Sequence, residues 1–248
     1  MANASLIALS RQMALRRELD VVSNNVANIN TTGYKGDTAV FEEYLMPTAR
    51  HDSFPGKHSK LSYVHDRATS HDLSQGPLRQ TGNPLDIAID GKEFFVVETP
   101  KGERYTRNGS FQLNNVGELV TSEGYRVVGD RGPIVFRPDD KDIAINGDGT
   151  ITVPNGTRGK LRLVTFEDPQ NLQKDGFSTF RAGDNQQAQQ ALRPHVVQGS
   201  IEMSNVKGVL EMTRLIEVSR AYTQTATLLQ QHGDMRKSAI ERLAEIPA

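Results

Sequence analysis

The sequence has no cysteine and no tryptophan among its 248 residues. The absence of cysteine excludes disulfide bonds and thiol chemistry, and it removes the commonest ligand of structural zinc. The absence of tryptophan disfavours a carbohydrate-binding cleft built on aromatic stacking. Neither absence identifies the cellular compartment. Redox-active thiols and cysteine-rich metal sites are therefore not expected.

Long hydrophobic runs are missing as well. No stretch approaches the roughly 18 uncharged apolar residues of a membrane-spanning helix. The first part of the chain carries Arg11, Arg16, Arg17, Glu18 and Asp20 where a signal peptide would need its apolar region. The sequence therefore predicts neither membrane insertion nor a cleaved export signal.

Charge and hydrophobicity limit the partners and the core. The 29 basic and 30 acidic residues give a net charge of −1, which provides no basic field for a phosphate backbone. Nucleic acid is therefore not predicted as a partner. Hydrophobic residues make up only 36% of the chain and the mean hydropathy is −0.51, so we predict one modest core with extensions.

Sequence motifs for catalysis are nearly absent. Residues 204–207 match the S-x-x-K pattern of penicillin-binding enzymes, but the S-D-N and K-T-G partners of that site are missing. Asp139 and Asp140 are adjacent, so on a strand they would point to opposite faces. Residues 146–149 lack the Asp ladder and the Glu of a calcium loop and predict a hairpin turn. We predict no enzymatic activity and no cofactor.

Histidines are concentrated in the polar stretch between residues 36 and 82. Four of the six lie there, and three of them precede an aspartate: His51, His58, His65 and His71. Imidazole and carboxylate groups together suit zinc or iron, but such a site needs convergent side chains at closer spacing, such as i, i+4. Steps of 7, 7 and 6 residues predict solvated histidines and no metal site.

Both ends of the chain carry apolar residues at alternating steps of three and four. Near the N-terminus the stripe is Leu15, Leu19, Val22, Val26 and Ile29. Near the C-terminus it is Met212, Leu215, Ser219, Tyr222, Ala226 and Leu229. A stripe this narrow is typical of a helix that packs on a partner helix. We predict one helix from about Asn3 or Ser5 to Asn30, and a second from residues 204–206 past Leu229 that can bend at Gly233.

The middle of the chain predicts strands. Leu85, Ile87 and Ile89 alternate with other residues, and the apolar run at residues 94–97 follows a turn at Gly91. Short runs separated by Gly, Asn and Pro are typical of an antiparallel meander. The predicted fold is α+β, with long N- and C-terminal helices in a coiled-coil-like pair and a central all-β domain of short antiparallel strands. The predicted divisions are an N-terminal helix at 1–35, an extended connector at 36–81, a β domain at 82–199 and a C-terminal helix at 200–248.

An asparagine cluster ends the first helix. Asn24, Asn25, Asn28 and Asn30 lie within seven residues, and asparagine competes for backbone hydrogen bonds and weakens an isolated helix. Two interpretations stay open. Either neighbouring groups bond these amides, or the helix frays here and stops at Gly33.

Several segments resemble the bacterial flagellar rod and hook family. Residues 20–35, DVVSNNVANINTTGYK, resemble its N-terminal signature, an Asn-rich helix end followed by Thr-x-Gly-aromatic-Lys. Segments 82–97, 105–111, 117–129 and 163–172 look like its β domain, and segments 202–206 and 219–226, with Arg220-Ala221-Tyr222 at the core, resemble its C-terminal helix. The resemblance runs nearly end to end, with the segments in the family's order.

The resemblance implies a non-enzymatic structural subunit of the flagellar basal-body rod in the periplasmic space. Terminal helices of many subunits would form an inner tube around the export channel, β domains would form an outer layer, and the polymer would transmit torque. The implied partners are further copies, other rod proteins, surrounding ring proteins and the flagellar export apparatus. Chain length favours the proximal-rod member over the larger hook protein. The expected subunit-assembly residues are Leu15, Leu19, Val22, Asn24, Asn25, Val26, Asn28, Ile29, Thr31, Gly33, Tyr34, Met212, Leu215, Arg220, Tyr222 and Leu229.

Three alternatives stay open. The first is the distal rod protein of the same family. The second is a binding module in which the helices form only a short oligomerisation stalk, so that a closed oligomer would form. The third is a wall-processing enzyme, which would need a cleft with at least two convergent acidic groups.

Overall fold

The computed structural model describes residues 2–47, 60–176, 178–183 and 186–244. Its helices are α1 (Ala2–Ala27) and α2 (Gly208–Ala244), with a 3-10 turn at Pro169–Asn171. The strands are β1 (Asp37–Pro47), β2 (Lys60–His71), β3 (Leu78–Gln80), β4 (Ile87–Ile89), β5 (Phe94–Thr99), β6 (Gly102–Thr106), β7 (Phe111–Leu113), β8 (Leu119–Thr121), β9 (Arg126–Gly129), β10 (Gly132–Pro133), β11 (Ala144–Ile145), β12 (Thr150–Val153), β13 (Gly156–Lys160), β14 (Leu163–Thr165), β15 (Gln173–Lys174), β16 (Thr179–Arg181), β17 (Gln189–Gln190), β18 (Val196–Gln198) and β19 (Ser200–Glu202). These elements confirm the predicted α+β class.

The chain divides into two compact units. The helical unit comprises Met1–Val26, Asp37–Ser70 and Lys207–Ala248. The β unit comprises Ala27–Gly36 and His71–Val206. The backbone therefore passes between the units at four points, after Val26, Gly36, Ser70 and Val206.

In the helical unit, α1 and α2 pack against each other. The Arg214 Nε donates a hydrogen bond of 2.9 Å to Glu18 Oε1, and Asn25 Nδ2 donates one of 3.3 Å to Glu211 Oε2. The partner numbers fall on α2 as they rise on α1, so the helices are antiparallel. Val22 is buried on α1 and Val218 on α2. The predicted coiled-coil-like pairing of the terminal helices is confirmed.

The buried stripe of α2 differs from the predicted one at alternate positions. Met212 is 52% exposed and Ser219 is exposed, whereas Val218 and Thr225 are buried. A repeat of three and four fits two neighbouring registers that share Leu215, Tyr222 and Leu229, and the sequence alone does not choose between them. Glu211 accepts a hydrogen bond from α1 and Arg214 donates one to it, and these two bonds select the register that buries Val218.

The helices begin and end at different residues than predicted, because residues just outside them are held by other hydrogen bonds. α1 ends at Ala27 rather than Asn30, since Thr31 N and Thr31 Oγ1 donate to Asn28 O and Oδ1 at 3.2 and 3.0 Å and close a turn. α2 begins at Gly208 rather than at 204–206, where Ser204 Oγ accepts from Val206 N at 3.2 Å. α2 continues through Gly233 and ends at Ala244.

The segment predicted as an extended connector, residues 36–81, contains strands. β1 pairs with β2 in a two-stranded sheet, and β3 pairs with β19. The sequence did not indicate these strands, because β3 finds its partner more than a hundred residues away and its three side chains are exposed. The turns that join the remaining strands were better marked, since Gly and Asn recur between them.

The β unit is built on a sheet with the order β15-β16-β6-β5-β9-β8-β7, to which β10 is added on β9, β14 on β5 and β17 on β14. Three smaller sheets, β11-β12-β13, β18-β4 and β19-β3, complete the unit. The described pairings within it are antiparallel. The predicted antiparallel β domain is thus confirmed.

Strand β5 lies between two hydrophobic clusters. Successive side chains of a strand point to opposite faces. Phe95 and Val97 accordingly enter a large cluster with Ile87, Ile151 and others, while Phe94 and Val96 enter a second one around Phe180. Burial on both faces explains why this strand is a continuous apolar run rather than an alternating one.

We expect acid to lower the melting temperature of the β unit as the pH falls below about 4, the ordinary range of aspartate. A hydrogen bond from Arg158 holds the pKa of Asp140 below its ordinary value, and one from Arg104 does so for Asp175. Carboxyl groups with a depressed folded pKa stabilise the fold above their unfolded pKa and lose that contribution as the pH falls through the folded pKa. Calorimetry from neutral to strongly acidic pH measures this loss. Asp140→Asn should reduce it, and a melting temperature independent of acid would contradict the expectation.

Candidate assembly surfaces

The end of the N-terminal signature is docked in the β unit. Gly33 N donates a 2.8 Å hydrogen bond to Glu202 O, and Gly33 has a positive φ of 67°. A Cβ at this position would lie 2.3 Å from the backbone N of Asn108. The ring of Tyr34 is 1% exposed, and Lys174 Nζ lies 4.0 Å from its centroid. Glycine is therefore required at position 33 by both the backbone conformation and the close approach.

Beside this segment lies a buried ionic cluster. Lys35 Nζ donates to Glu202 Oε1 at 2.5 Å and to Ser74 O at 2.7 Å. Arg107 Nη1 donates to the other carboxylate oxygen at 3.3 Å, and Gly76 N adds a bond of 2.8 Å to Oε1. The Lys35 and Glu202 side chains are 0% exposed. One buried carboxylate is therefore paired with two buried cations.

Burial controls the electrostatics of this cluster. Desolvation lowers the pKa of Lys35, and the charge of Glu202 opposes that effect. Burial also lowers the pKa of Arg107, with Glu202 and Glu93 opposing it. The Arg107 guanidinium lies 4.9 Å from the Phe94 ring centroid and donates to Gly91 O at 2.8 Å. The cations are stabilised by these partners rather than by solvent.

The asparagine amides of the signature do not share one environment. Asn25 is buried in the helical unit, where its Nδ2 donates to Asp37 O at 2.8 Å and its Oδ1 accepts from Asp37 N at 2.9 Å. Asn28 is buried in the β unit and accepts from Thr31. Asn24 is exposed. For Asn25 and Asn28 the structure supports the interpretation that neighbouring groups of the same chain bond the amides.

The remaining expected assembly residues differ in exposure and fall into three sets. Val22 is buried, and a second set is half-buried: Leu15, Leu19, Val26, Ile29, Thr31, Leu215, Tyr222 and Leu229. Met212 and Arg220 are exposed. The stripe that suggested a partner helix is thus largely occupied by the other helix of the same chain.

A second apolar surface on the helical unit includes Met212, which was expected from the sequence, and other residues that were not recognised there. On α1 it comprises Leu6, Leu9 and Met13, each 47–67% exposed. On α2 it comprises Val209, Leu210, Met212, Ile216 and Leu228, each 52–80% exposed. We call these residues the exposed helix faces. Steps of 3 and 4 from Leu6 to Met13, and from Val209 through Met212 to Ile216, are the signal that would have found them.

The described residues contain no group of three or more His, Cys, Asp and Glu side chains that could hold a metal. His51 and His58 lie outside them, as does the side chain of His65. The His71 ring packs edge-on against Phe180, with the centroids 6.0 Å apart. The predicted hairpin turn at residues 146–149 is confirmed, because β11 and β12 pair on either side of it. No helix among the described residues is long and apolar enough to cross a membrane.

The models of three protein families match successive parts of the chain. Residues 6–35 match the flagella basal body rod protein family, residues 88–153 the D1 domain of flagellar hook protein FlgE/F/G, and residues 197–242 the C-terminal region of flagellar basal body rod protein FlgEFG. These matches include the signature, the centre of the β unit and most of α2.

Individual relatives align over almost the whole chain. Flagellar basal-body rod protein FlgF of Caulobacter vibrioides is 39% identical, over 99% of this chain and 100% of the relative. The protein of the same name from Mesorhizobium japonicum is 35% identical, over 98% of both chains. Flagellar basal-body rod protein FlgG of Bacillus subtilis is 30% identical, over 89% of this chain and 91% of the relative.

Proposed function

The chain belongs to the flagellar basal-body rod protein family, and we propose that it polymerises into the helical shaft that transmits torque and encloses an export channel. Membership makes it a structural subunit located in the basal-body rod. We propose that it works without catalysis and without a cofactor. Its partners would be further copies and other rod proteins, with the surrounding ring proteins and the export apparatus as further neighbours.

The observation that carries this proposal is the pair of exposed helix faces in a chain that matches rod proteins over nearly its full length. Exposed apolar side chains grouped on the surface of a protein commonly mark a protein interface. The faces lie on the two helices whose packed sides already contact each other, so they remain available to helices of neighbouring subunits. Identical subunits joined through contacts that do not close into a ring form a helical filament.

We propose that this chain takes the proximal position in the rod. The support is the identity of 39% and 35% to two FlgF proteins, against 30% to the FlgG of Bacillus subtilis. The distal rod protein remains the alternative. Labelling the chain and locating it along isolated basal bodies by electron microscopy distinguishes the two positions.

The expected assembly residues have different roles in this proposal. Met212 and Arg220 are exposed and would contact neighbouring subunits directly. The half-buried residues of the helix pair, such as Leu215 and Tyr222, would set the geometry that presents those contacts. Asn25, Gly33 and Tyr34 would act indirectly, by holding the signature in place within the chain.

Placing acidic groups on the α2 face is expected to abolish rod assembly without unfolding the subunit. The double variant Met212→Glu, Ile216→Glu introduces two charges where we propose apolar contacts. Both side chains are 52% exposed, so the free energy of unfolding should change by less than about 1 kcal/mol. Motility assays and electron microscopy of basal bodies measure assembly, and thermal unfolding measures the subunit.

The matched control is Gln224→Glu, which adds a carboxylate at an exposed polar position of the same helix and should leave motility intact. Normal motility of the double variant would remove the α2 face from the mechanism. A closed, countable oligomer of the purified chain would instead favour the binding module with a short stalk.

A further inference from the structure

The backbone passes between the two units at four points, and at three of them β-unit residues close to the crossing are hydrogen-bonded to one another. Gly36 lies at the second point, Asp72 near the third and Asn205 near the fourth. All three residues belong to the β unit. Their sequence separations, 36 and 133 residues, mean that only the tertiary fold brings them together.

These three residues form a closed triangle of hydrogen bonds. Asp72 N donates to Gly36 O at 2.8 Å. Gly36 N donates to Asn205 Oδ1 at 2.8 Å, and Asn205 Nδ2 donates to Asp72 O at 2.7 Å. Each segment is thus bonded to both of the others, and the Asn205 side chain supplies two of the three links.

The ionic cluster forms a second layer that joins the same three segments. Lys35 precedes Gly36, Ser74 and Gly76 follow Asp72, and Glu202 precedes Asn205. The bonds of Lys35 Nζ to Glu202 and to Ser74 O, and of Gly76 N to Glu202, repeat the three-way connection within buried surroundings. Arg107, which follows β6, then fixes Glu202 to the large sheet.

We propose that Lys35, Arg107, Glu202 and Asn205 form a clamp that holds three of the four chain passages together on the β unit and carries mechanical load between the helices and that unit. Force applied along any one passage reaches the sheet through bonds that all three segments share. No segment therefore has to detach from the β unit by itself. The load-bearing role rests on the proposed function, whereas the clamp itself does not.

Two features distinguish a clamp from ordinary core packing. A buried ion pair adds little net stability compared with an apolar pair of the same size, but it is costly to break by removing one partner. In addition, Asn205 is only half-buried, yet it bonds backbone groups of two distant segments and a hydroxyl group at Ser74. Local opening at the clamp breaks these bonds, so both features oppose that opening.

Hydrogen exchange on the full-length chain tests the clamp. Asn205→Ala should accelerate exchange of the amides of Gly36, Asp72 and Gly76 by at least about tenfold, since lost hydrogen bonds make local opening easier. Core amides of β5 and β9 open only in global unfolding, which also breaks these bonds, so their exchange should accelerate by no more than the same factor.

The matched control is Asn114→Ala. Asn114 is also half-buried, and its Oδ1 accepts from Val116 N and Glu118 N in a turn of the same unit. It should leave exchange at Gly36, Asp72 and Gly76 within about twofold of the unaltered chain, because local opening of the clamp leaves that turn intact. Unchanged exchange at these three amides in Asn205→Ala would overturn the clamp, and so would equal acceleration of them by Asn114→Ala.

Lys35→Met provides a second variant, which removes the ammonium group while keeping the length of the side chain. It should likewise accelerate exchange at Gly36, Asp72 and Gly76, and unchanged exchange at these amides would contradict the proposal. The swimming speed of cells that carry Asn205→Ala tests the load-bearing role. We expect these cells to swim normally in dilute medium and to lose speed disproportionately in viscous medium. Deletion of the whole chain tests the rod function separately.

Discussion

Replacing Glu202 with glutamine is expected to destabilise the β unit by about 3–5 kcal/mol, because it leaves two buried cations without their shared carboxylate. The side chain keeps its shape, so the loss measures charge rather than volume. Lys35 is 0% exposed and Arg107 2% exposed, so water cannot replace the missing partner. Urea unfolding at neutral pH measures the change, provided the slope with denaturant stays constant.

The control is the double variant Lys35→Met, Glu202→Gln. It removes one of the two cations together with the carboxylate, so it should be more stable than Glu202→Gln alone. A double-mutant cycle isolates the coupling between contacting groups. Strictly additive losses would show that Lys35 and Glu202 do not stabilise each other, despite the 2.5 Å between Nζ and Oε1.

Replacing Gly33 with alanine is expected to destabilise the docking of residues 28–36 by about 2–5 kcal/mol. A positive φ costs about 1–2 kcal/mol for a residue with a Cβ, and overpacking adds about 1–3 kcal/mol. The new Cβ would lie 2.3–2.6 Å from backbone atoms of Arg107 and Asn108, which cannot rotate away as a side chain would. Unfolding measurements and hydrogen exchange at Tyr34 and Lys35 follow the effect.

Gly82 supplies a matched control, because its φ is 76° but nothing lies within 4 Å of the position that an added Cβ would occupy. Gly82→Ala should therefore cost only the conformational part, about 1–2 kcal/mol. Equal losses for the two substitutions would mean that the close approach at Gly33 relaxes without cost. A larger loss at Gly33 would confirm that the signature requires glycine for contact as well as for conformation.

Periodicity predicted the elements whose partners are regular. The steps of three and four in the terminal segments correctly indicated two helices that pack together, and the run at residues 94–97 correctly indicated a strand. The hairpin at residues 146–149 was predictable, since Asn and Gly favour its turn conformation. Each of these signals depends on residues close together in the chain.

The signature shows where such local reasoning stops. Its asparagines and glycine were expected to contact other subunits, and the sequence offered no indication that Gly33 and Lys35 are buried against the same chain. Lys35 and Glu202 are separated by 167 positions, and no sequence pattern around either residue indicates the other as its partner. Whether Asn25 and Tyr34 also influence neighbouring subunits stays a prediction.

The sequence by itself determined the class of the fold, its order of helix, β region and helix, and the family resemblance, because all three depend on local periodicity and short ordered motifs. Only the tertiary structure decided which register of α2 is buried, which apolar helix residues remain exposed, and where the buried charges meet. The physical reason is that burial and charge pairing depend on distances between segments remote in the chain. A repeat of three and four residues fits more than one packing until another helix occupies one face.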